Sequence, residues 1–243
     1  MDFQAYNIAL GGVPNWSLIH KFGDNPDVDD PGIEDIWNFG GSYTYSTTAD
    51  IDTISSSNAG DGQVVQVQGL DGDYNLVVQN ATLNGQTKVT LATPLLRVFR
   101  LKNLGATDNA GNIYVYVDGD ITAGEPDTDA DVRAYCAIGD NQTLMAIFTI
   151  PAGRQGLMTS WYAALSRRSA TAATITMRRR SEGGVFQVKE IVAINSTGTG
   201  YFKREYEVPE LISEKTDIVI QAEVSADNTG VSAGFDIVLI DVA

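Results

Sequence analysis

Short segments with period-two apolar alternation run almost the whole length of the chain, and this pattern confines it to antiparallel β structure. Gln63–Gln68 alternates around Val65 and Val67. Ile113–Val117 would place Ile113, Val115 and Val117 on one face and Tyr114 and Tyr116 on the other. Leu144–Ile150, Leu157–Leu165, Ala173–Arg180, Val185–Ile194, Phe202–Val208, Asp217–Val224 and Gly234–Asp241 follow, separated by Gly, Asn, Ser and Asp clusters. Asn84-Gly85 between Leu76–Leu83 and Gln86–Leu91 predicts a two-residue hairpin, because a type I′ turn needs positive φ at both central residues. Helical spacing is confined to Ile33, Ile36 and Trp37, enough for one or two turns, with a second short turn at Glu210–Ser213.

The expected fold is therefore all-β, with two tandem antiparallel β-sandwich domains behind an irregular N-terminal arm. Residues 1–42 form the arm, 43–138 the first sandwich and 139–243 the second. The second has room for seven or eight strands and is expected to be jelly-roll-like. The arm is too long for a turn and too unpatterned to fold alone, yet it holds Trp16, Phe22, Trp37 and Phe39. Such a segment is expected to dock, on its own domains or on a neighbouring subunit, with these four aromatics as anchors.

Charge narrows the partners. The formal net charge is −15, and residues 1–96 carry two basic side chains, Lys21 and Lys88, against twelve acidic ones. This balance disfavours nucleic acid and anionic membrane surfaces as partners. No run of apolar residues is long enough to span a bilayer, and the opening MDFQAYNIALGG lacks the features of a secretion signal.

Reactive chemistry is sparse. His20 and Cys136 are the single residues of their kinds, so a Ser-His or Cys-His nucleophile would have to be built around an arm residue, and no disulfide can form within the chain. Cys136 reads as a small buried apolar residue. The sequence holds no phosphate-loop, nucleophile-elbow or zinc motif. No enzyme activity and no cofactor are expected. Calcium is the metal to consider: Asp127, Asp129 and Asp131 have hard-cation spacing, but Val132 and Ile138 stand where an EF-hand needs Gly and Glu. Arg178, Arg179 and Arg180, with Arg167 and Arg168, form a basic run; it is either a charge-guarded edge strand or a patch that meets an acidic subunit surface.

Several segments carry a resemblance: KFGDNPDVDD (Lys21–Asp30), GIEDIWNFGGSYTY (Gly32–Tyr45), VQGLDGDYNLVVQNATLNGQTKV (Val67–Val89) and FRLKNLGATDNAGNIYVYVDG (Phe99–Gly119). GDNQTLMAIFTIPAGRQGLMTSWYAAL (Gly139–Leu165), GGVFQVKE (Gly183–Glu190) and SAGFDIVLID (Ser232–Asp241) extend it to the C-terminus. Together they resemble a family of virion structural proteins of tailed bacteriophages, common among marine phages. The matched motifs are turns and strands, so no catalytic residue carries over. The resemblance implies a virion protein assembled in the bacterial cytoplasm, on the capsid surface as a decoration (cement) protein. Its implied partners are the major capsid protein or other virion proteins and copies of itself, as a trimer or similar oligomer. Two other roles stay open at this point: a neck or tail component, and a carbohydrate-binding module using Trp161, Tyr162 or Tyr201 as stacking platforms.

Overall fold

A computed structural model describes residues 3–166 and 171–242. One helix, α1 (Phe3–Ala9), precedes β1 (Trp16–Val28), β2 (Ile33–Asp35), β3 (Ile51–Ser56), β4 (Val64–Leu70), β5 (Leu76–Thr82), β6 (Val89–Leu95), β7 (Arg97–Asn103), β8 (Ile113–Val117), β9 (Ile121–Thr122) and β10 (Glu125–Pro126). A 3-10 turn (Asp129–Asp131) leads to β11 (Val132–Cys136), β12 (Ile147–Thr149), β13 (Arg154–Ser166), β14 (Thr171–Arg180), β15 (Gln187–Ser196), β16 (Thr199–Ile212), β17 (Asp217–Val224) and β18 (Thr229–Asp241). The chain is nearly all-β and antiparallel, as the periodicity requires.

Two compact units divide it: Met1–Ile36 together with Ala146–Ala243, and Trp37–Met145. In the first unit one sheet has the order β1-β18-β13-β16. The other has the order β12-β17-β14-β15, with β2 also paired to β17. β2 and β12 lie end to end along the same side of β17: Asp35 opposes Gln221, and Ile147 opposes Val219. Counted as one strand, they turn the two sheets into 1-8-3-6 and 2-7-4-5, which is the jelly roll. The core between the sheets includes Trp161, Phe235, Ile237, Ile175, Met177 and Ile220, all fully buried.

The jelly roll is thus real, but its composition differs from the expected one. The segment expected to be an arm supplies β1 and half of the second strand, and the sandwich is not a tandem C-terminal domain. The reason is pairing at long range. β1 runs beside β18 from Trp16↔Ile240 to Val28↔Thr229. Along it Lys21, Gly23, Asn25 and Val28 are buried, a mixed set that hides the apolar alternation of an ordinary strand. Ile33–Asp35 is likewise strand, not helix, because β17 offers it a ladder. Glu210–Ile212 ends β16 and is no separate turn.

The second unit interrupts the jelly roll within that split strand. Ile36 N–H donates to Ile220 C=O (2.9 Å), Ala146 N–H to Ile36 C=O (2.8 Å) and Ile220 N–H to Ala146 C=O (3.3 Å). The chain therefore leaves and returns at one hydrogen-bonded point, with the 109 residues of Trp37–Met145 between. Within Trp37–Met145, the sheet β11-β8-β3-β6 and the sheet β5-β4-β7 enclose Ile51, Ile54, Val65, Val67, Leu95, Leu101, Ile113, Val115, Ala134 and Cys136. β5 and β6 lie in different sheets, so no two-residue hairpin forms at Asn84-Gly85. The turn instead closes between Asn84 and Thr87. Gly85 (φ +54°) gives its N–H to Asp61 C=O and accepts Ser56 N–H, and a Cβ there would stand 2.5 Å from Ala59 C=O. The Asn-Gly pair marks a turn docked on residues 56–61, not a strand reversal.

Asp61 ties this end of the unit together. Its Oδ2 accepts Ser56 Oγ–H (2.6 Å) and Gly111 N–H (2.9 Å), and its Oδ1 accepts Ala110 N–H (2.9 Å). Burial alone would raise its pKa, but these donors together hold it below the ordinary 3.8. A carboxyl lowered on folding contributes stability that is complete above its ordinary pKa and is lost as pH falls through its folded value. Asp61→Asn is expected to cost about 2 kcal/mol at neutral pH, since bonds to a charged group are lost. In denaturant titrations that deficit should shrink as the pH falls below the ordinary carboxylate pKa and the folded-state carboxyl takes up its proton; a deficit independent of pH would contradict the assignment. Replacing residues 37–145 by a short Gly-Ser linker should leave the jelly roll folded, with cooperative unfolding and strand-type circular dichroism, because its ends already meet. A linker variant without cooperative unfolding would contradict it.

Candidate interaction surface

The four aromatics expected to anchor an arm lie apart. Trp16 and Phe22 are half-buried on β1, with Phe22 against the His20 ring (5.6 Å between centroids). Trp37 and Phe39 belong to the second unit and to each other (5.2 Å). Trp37 is only 2 % exposed, donates its indole N–H to Gly41 C=O (3.2 Å) and packs edge-on against Tyr43. Phe39 packs on Tyr135 and Tyr114. Trp37, buried inside its own unit, has no face left with which to grip a neighbour, and Phe39 is half-buried. These two residues are structural, and Trp37 also pairs with Met145 where the unit begins and ends.

The basic run does not form an open cationic patch. Strand alternation sends Arg179 to the same face as Ile175 and Met177, where it is 5 % exposed. Its Nη2 donates to Glu210 Oε2 (2.7 Å) beside the sulfurs of Met158 and Met177. Arg180 pairs with buried Asp217 (2.5 Å) and lies over the Phe186 ring, and Arg178 donates to Gln221 Oε1 (3.0 Å). Arg167 and Arg168 lie outside the described residues. Arg180 is neutralised because an antiparallel neighbour, β17, presents Asp217 directly opposite it, whereas Arg178 meets a neutral amide on the same strand.

The acidic candidates are not assembled either. Among the described residues, no three His, Cys, Asp or Glu side chains converge as a cation site. Asp129 and Asp131 stand in a 3-10 turn, whose three residues per turn direct them about 120° apart, away from a common centre with Asp127. Cys136 is fully buried, and burial together with the Asp140 and Asp61 charges pushes its thiol up to about 12. It is a core residue. His20 does meet a serine and an aspartate. His20 Nδ1 lies 2.6 Å from Asp236 Oδ1, and Ser160 Oγ donates to Asp236 Oδ2 at 2.7 Å. The carboxylate stands between the other two, whereas nucleophile activation requires the imidazole there. No described helix is long and apolar enough to cross a membrane.

What the structure leaves in water is a set of apolar side chains along two end strands, with Ile191 (opposite Thr176) and Tyr201 (opposite Ala164) on the outer faces of the two opposed sheets. β15 and β16 are the end strands of the two jelly-roll sheets, each paired on one side only. Val185, Val188 and Ile191, on and just before β15, are exposed, as are Tyr201, Val208 and Leu211 on β16. Arg204 (to Glu190, 2.7 Å) and Tyr206 O–H (to Glu190 Oε1, 3.2 Å) link the two strands. A cavity of about 240 Å³ between them is lined by Arg179, Gln187, Lys189, Glu210 and Leu211 among others. Trp161 is fully buried against Phe202 (4.9 Å) and offers no platform to a sugar. The sequence carried one sign of this exposure: Ile191–Ile194 is apolar on both faces, which a strand with one solvent face does not need.

No protein-family model matches the chain, and no curated protein does. Among solved structures it is similar to the VP2 subviral particle of infectious bursal disease virus, at 12% identity over 94% of this chain and 73% of that one, with a TM-score of 0.24. The infectious bursal disease virus Gt strain structure gives 14% identity over 94% and 74%, with a TM-score of 0.20. A Bacillus thuringiensis Cry1Da tryptic core variant gives 10% identity over 95% and 53%, with a TM-score of 0.19. Scores at this level do not establish a shared fold; the jelly-roll assignment rests on the strand order alone.

Breaking the Arg179–Glu210 pair from its two sides should have unequal effects. Glu210→Ala leaves a buried guanidinium without its counter-charge and is expected to destabilise by about 2–3 kcal/mol. Arg179→Met leaves a carboxylate that water can reach and is expected to change stability by less than about 1 kcal/mol. Equal losses in denaturant titrations would refute this reading.

Proposed function

We propose that the chain is a structural protein of a virion, and specifically a decoration protein on the head of a tailed bacteriophage. It would be carried on the capsid surface through contacts with the major capsid protein and with copies of itself. Its work is binding and bracing, not turnover of a substrate. The observation that carries the reading is the set of exposed apolar side chains on β15 and β16. A rigid jelly roll that leaves Val185, Val188, Ile191, Tyr201, Val208 and Leu211 in water calls for a partner surface. The sequence resemblance supports it from another side. Two of the segments that carry it, Lys21–Asp30 and Ser232–Asp241, lie far apart in the chain and are hydrogen-bonded neighbours on one sheet. What resembles the phage family thus includes a piece of folded surface. The fold by itself serves many functions.

Anchoring through a detachable arm is not part of this proposal, because residues 16–35 are sheet strands and their removal would open the jelly roll. The informative experiment keeps the chain whole. Purified protein is added to phage heads that lack it, and bound copies are located by electron microscopy. Saturable binding on the shell lattice, at hundreds of copies per head, is the expected result. Occupancy of about six or twelve at a single vertex would assign a neck or tail role instead. Absence of binding to heads and tails alike would overturn the virion reading.

A further inference from the structure

The cavity of about 240 Å³ between β15 and β16 is polar at two depths. Arg179, Ile212 and Thr216 are buried and form its floor, while Ser181, Lys189 and Ser213 are exposed around its mouth. The floor is chemically unfinished. A guanidinium carries five N–H donors, and buried donors normally find acceptors. Arg179 has one oxygen partner among the described residues, Glu210 Oε2 on Nη2 (2.7 Å), beside the weakly accepting sulfurs of Met158 and Met177. Its Nε is buried with no acceptor at all. Thr216 Oγ1 reaches Glu214 C=O at a long 3.5 Å. A buried cation short of acceptors in the floor of a cavity calls for an acceptor from outside.

Charge and size select the class of ligand. Two bases, Arg179 and Lys189, and one acid, Glu210, line the cavity, a surplus of one positive charge within a chain of net charge −15. Lys189 donates to the neutral Gln187 Oε1 (2.9 Å) and forms no ion pair among the described residues. One surplus charge matches a monoanion; a dianionic phosphate would lie beside the Glu210 carboxylate with half of its own charge unmatched. The hydroxyls of Ser181, Ser213 and Thr216 suit a ligand that carries several hydroxyls of its own. The volume lies below the about 300–1,000 Å³ of pockets for drug-sized molecules, so the occupant is about one ring in size. We propose that this cavity binds an acidic sugar. The carboxylate is held by Arg179 and Lys189, and the ring hydroxyls are held by Glu210, Gln187 and the serines at the mouth. Glu210 is free to accept from a ligand, since 39 % of its side chain stays in water. The site lies within the jelly roll and does not depend on the chain being carried on a capsid.

The test is calorimetric titration of the full-length protein at neutral pH and low salt. The probes are glucuronate, galacturonate and a sialic acid, with glucose, acetate and inorganic phosphate as controls. At least one sugar acid should bind at a single site with a dissociation constant of about a millimolar or lower, and added salt should weaken it. Arg179→Met should weaken binding by at least about tenfold. Lys189→Glu, at an exposed position where folding is not threatened, turns the surplus of one positive charge into a surplus of one negative charge and should do the same. Val208→Ser, outside the cavity, should leave binding unchanged. Thermal unfolding checks that each variant is folded. No binding of any sugar acid, equal binding of acetate, glucose or phosphate, or binding that survives Lys189→Glu unchanged would overturn the proposal. Sugar binding and the decoration of heads are read in separate experiments, so the failure of either leaves the other standing.

Discussion

The second strand of the jelly roll is made in two pieces, and both must find β17. Ile220 is where they meet: it accepts from Ile36, donates to Ala146, and those two residues are bonded to each other. Without that junction β17 would be a bare edge, the buried row of Ile218, Ile220, Ala222 and Val224 would lose one flank, and the interrupting unit would have no fixed point of departure. A β-ladder normally needs one continuous partner. Here two short partners suffice because each is clamped by a longer neighbour in sequence, β1 before β2 and β13 after β12. The interruption is tolerated for the reason insertions usually are, since its two ends coincide.

Much of this was legible in the chain, and the failures have a common physical cause. Ile113–Val117 and Asp217–Val224 read from the sequence as strands with the bounds they have in the structure, because both obey the period of a pleated backbone. β1 escaped, because Lys21, Gly23 and Asn25 face inward on it and a sequence reader expects apolar residues there. Asn84-Gly85 reads as a hairpin because local turn chemistry does not disclose which sheet the chain enters next. Trp37 and Phe39 read as anchors because an aromatic in an unpatterned stretch looks unclaimed; the rings they pack on, Tyr43, Tyr114 and Tyr135, are close in space and mostly remote in sequence. The basic run is legible as a strand with Arg179 turned inward, but the neutralisation of Arg179 and Arg180 is not, since Glu210 and Asp217 reach them only through folding. In each case the missing information was a long-range pairing.

The electrostatic picture changes accordingly. A chain of net charge −15 with a cluster of arginines invites a story of opposite patches meeting across subunits. The arginines of β14 are instead held within their own sandwich, and what reaches solvent along β15 and β16 is a set of apolar side chains interspersed with charges of both signs. Such a surface is less soluble than the average for so acidic a chain, while the excess negative charge elsewhere keeps copies from associating indiscriminately. Specific contact and general repulsion are thereby assigned to different parts of the same molecule.

The pairing of β1 with β18 has a consequence for biosynthesis. Among the described residues, β1 pairs with β18 and β2 with β17, more than 180 residues later in sequence. Trp37–Met145 is continuous and can close while the ribosome is still translating, but the first strands must wait. At elongation rates of about 5–20 residues per second that wait is on the order of ten to forty seconds. During it the nascent N-terminal segment is protected by its own composition, with Asp24, Asp27, Asp29, Asp30, Pro26 and Pro31 spaced through it to discourage premature strand pairing. The same residues that make this stretch look like an irregular arm keep it available for β18.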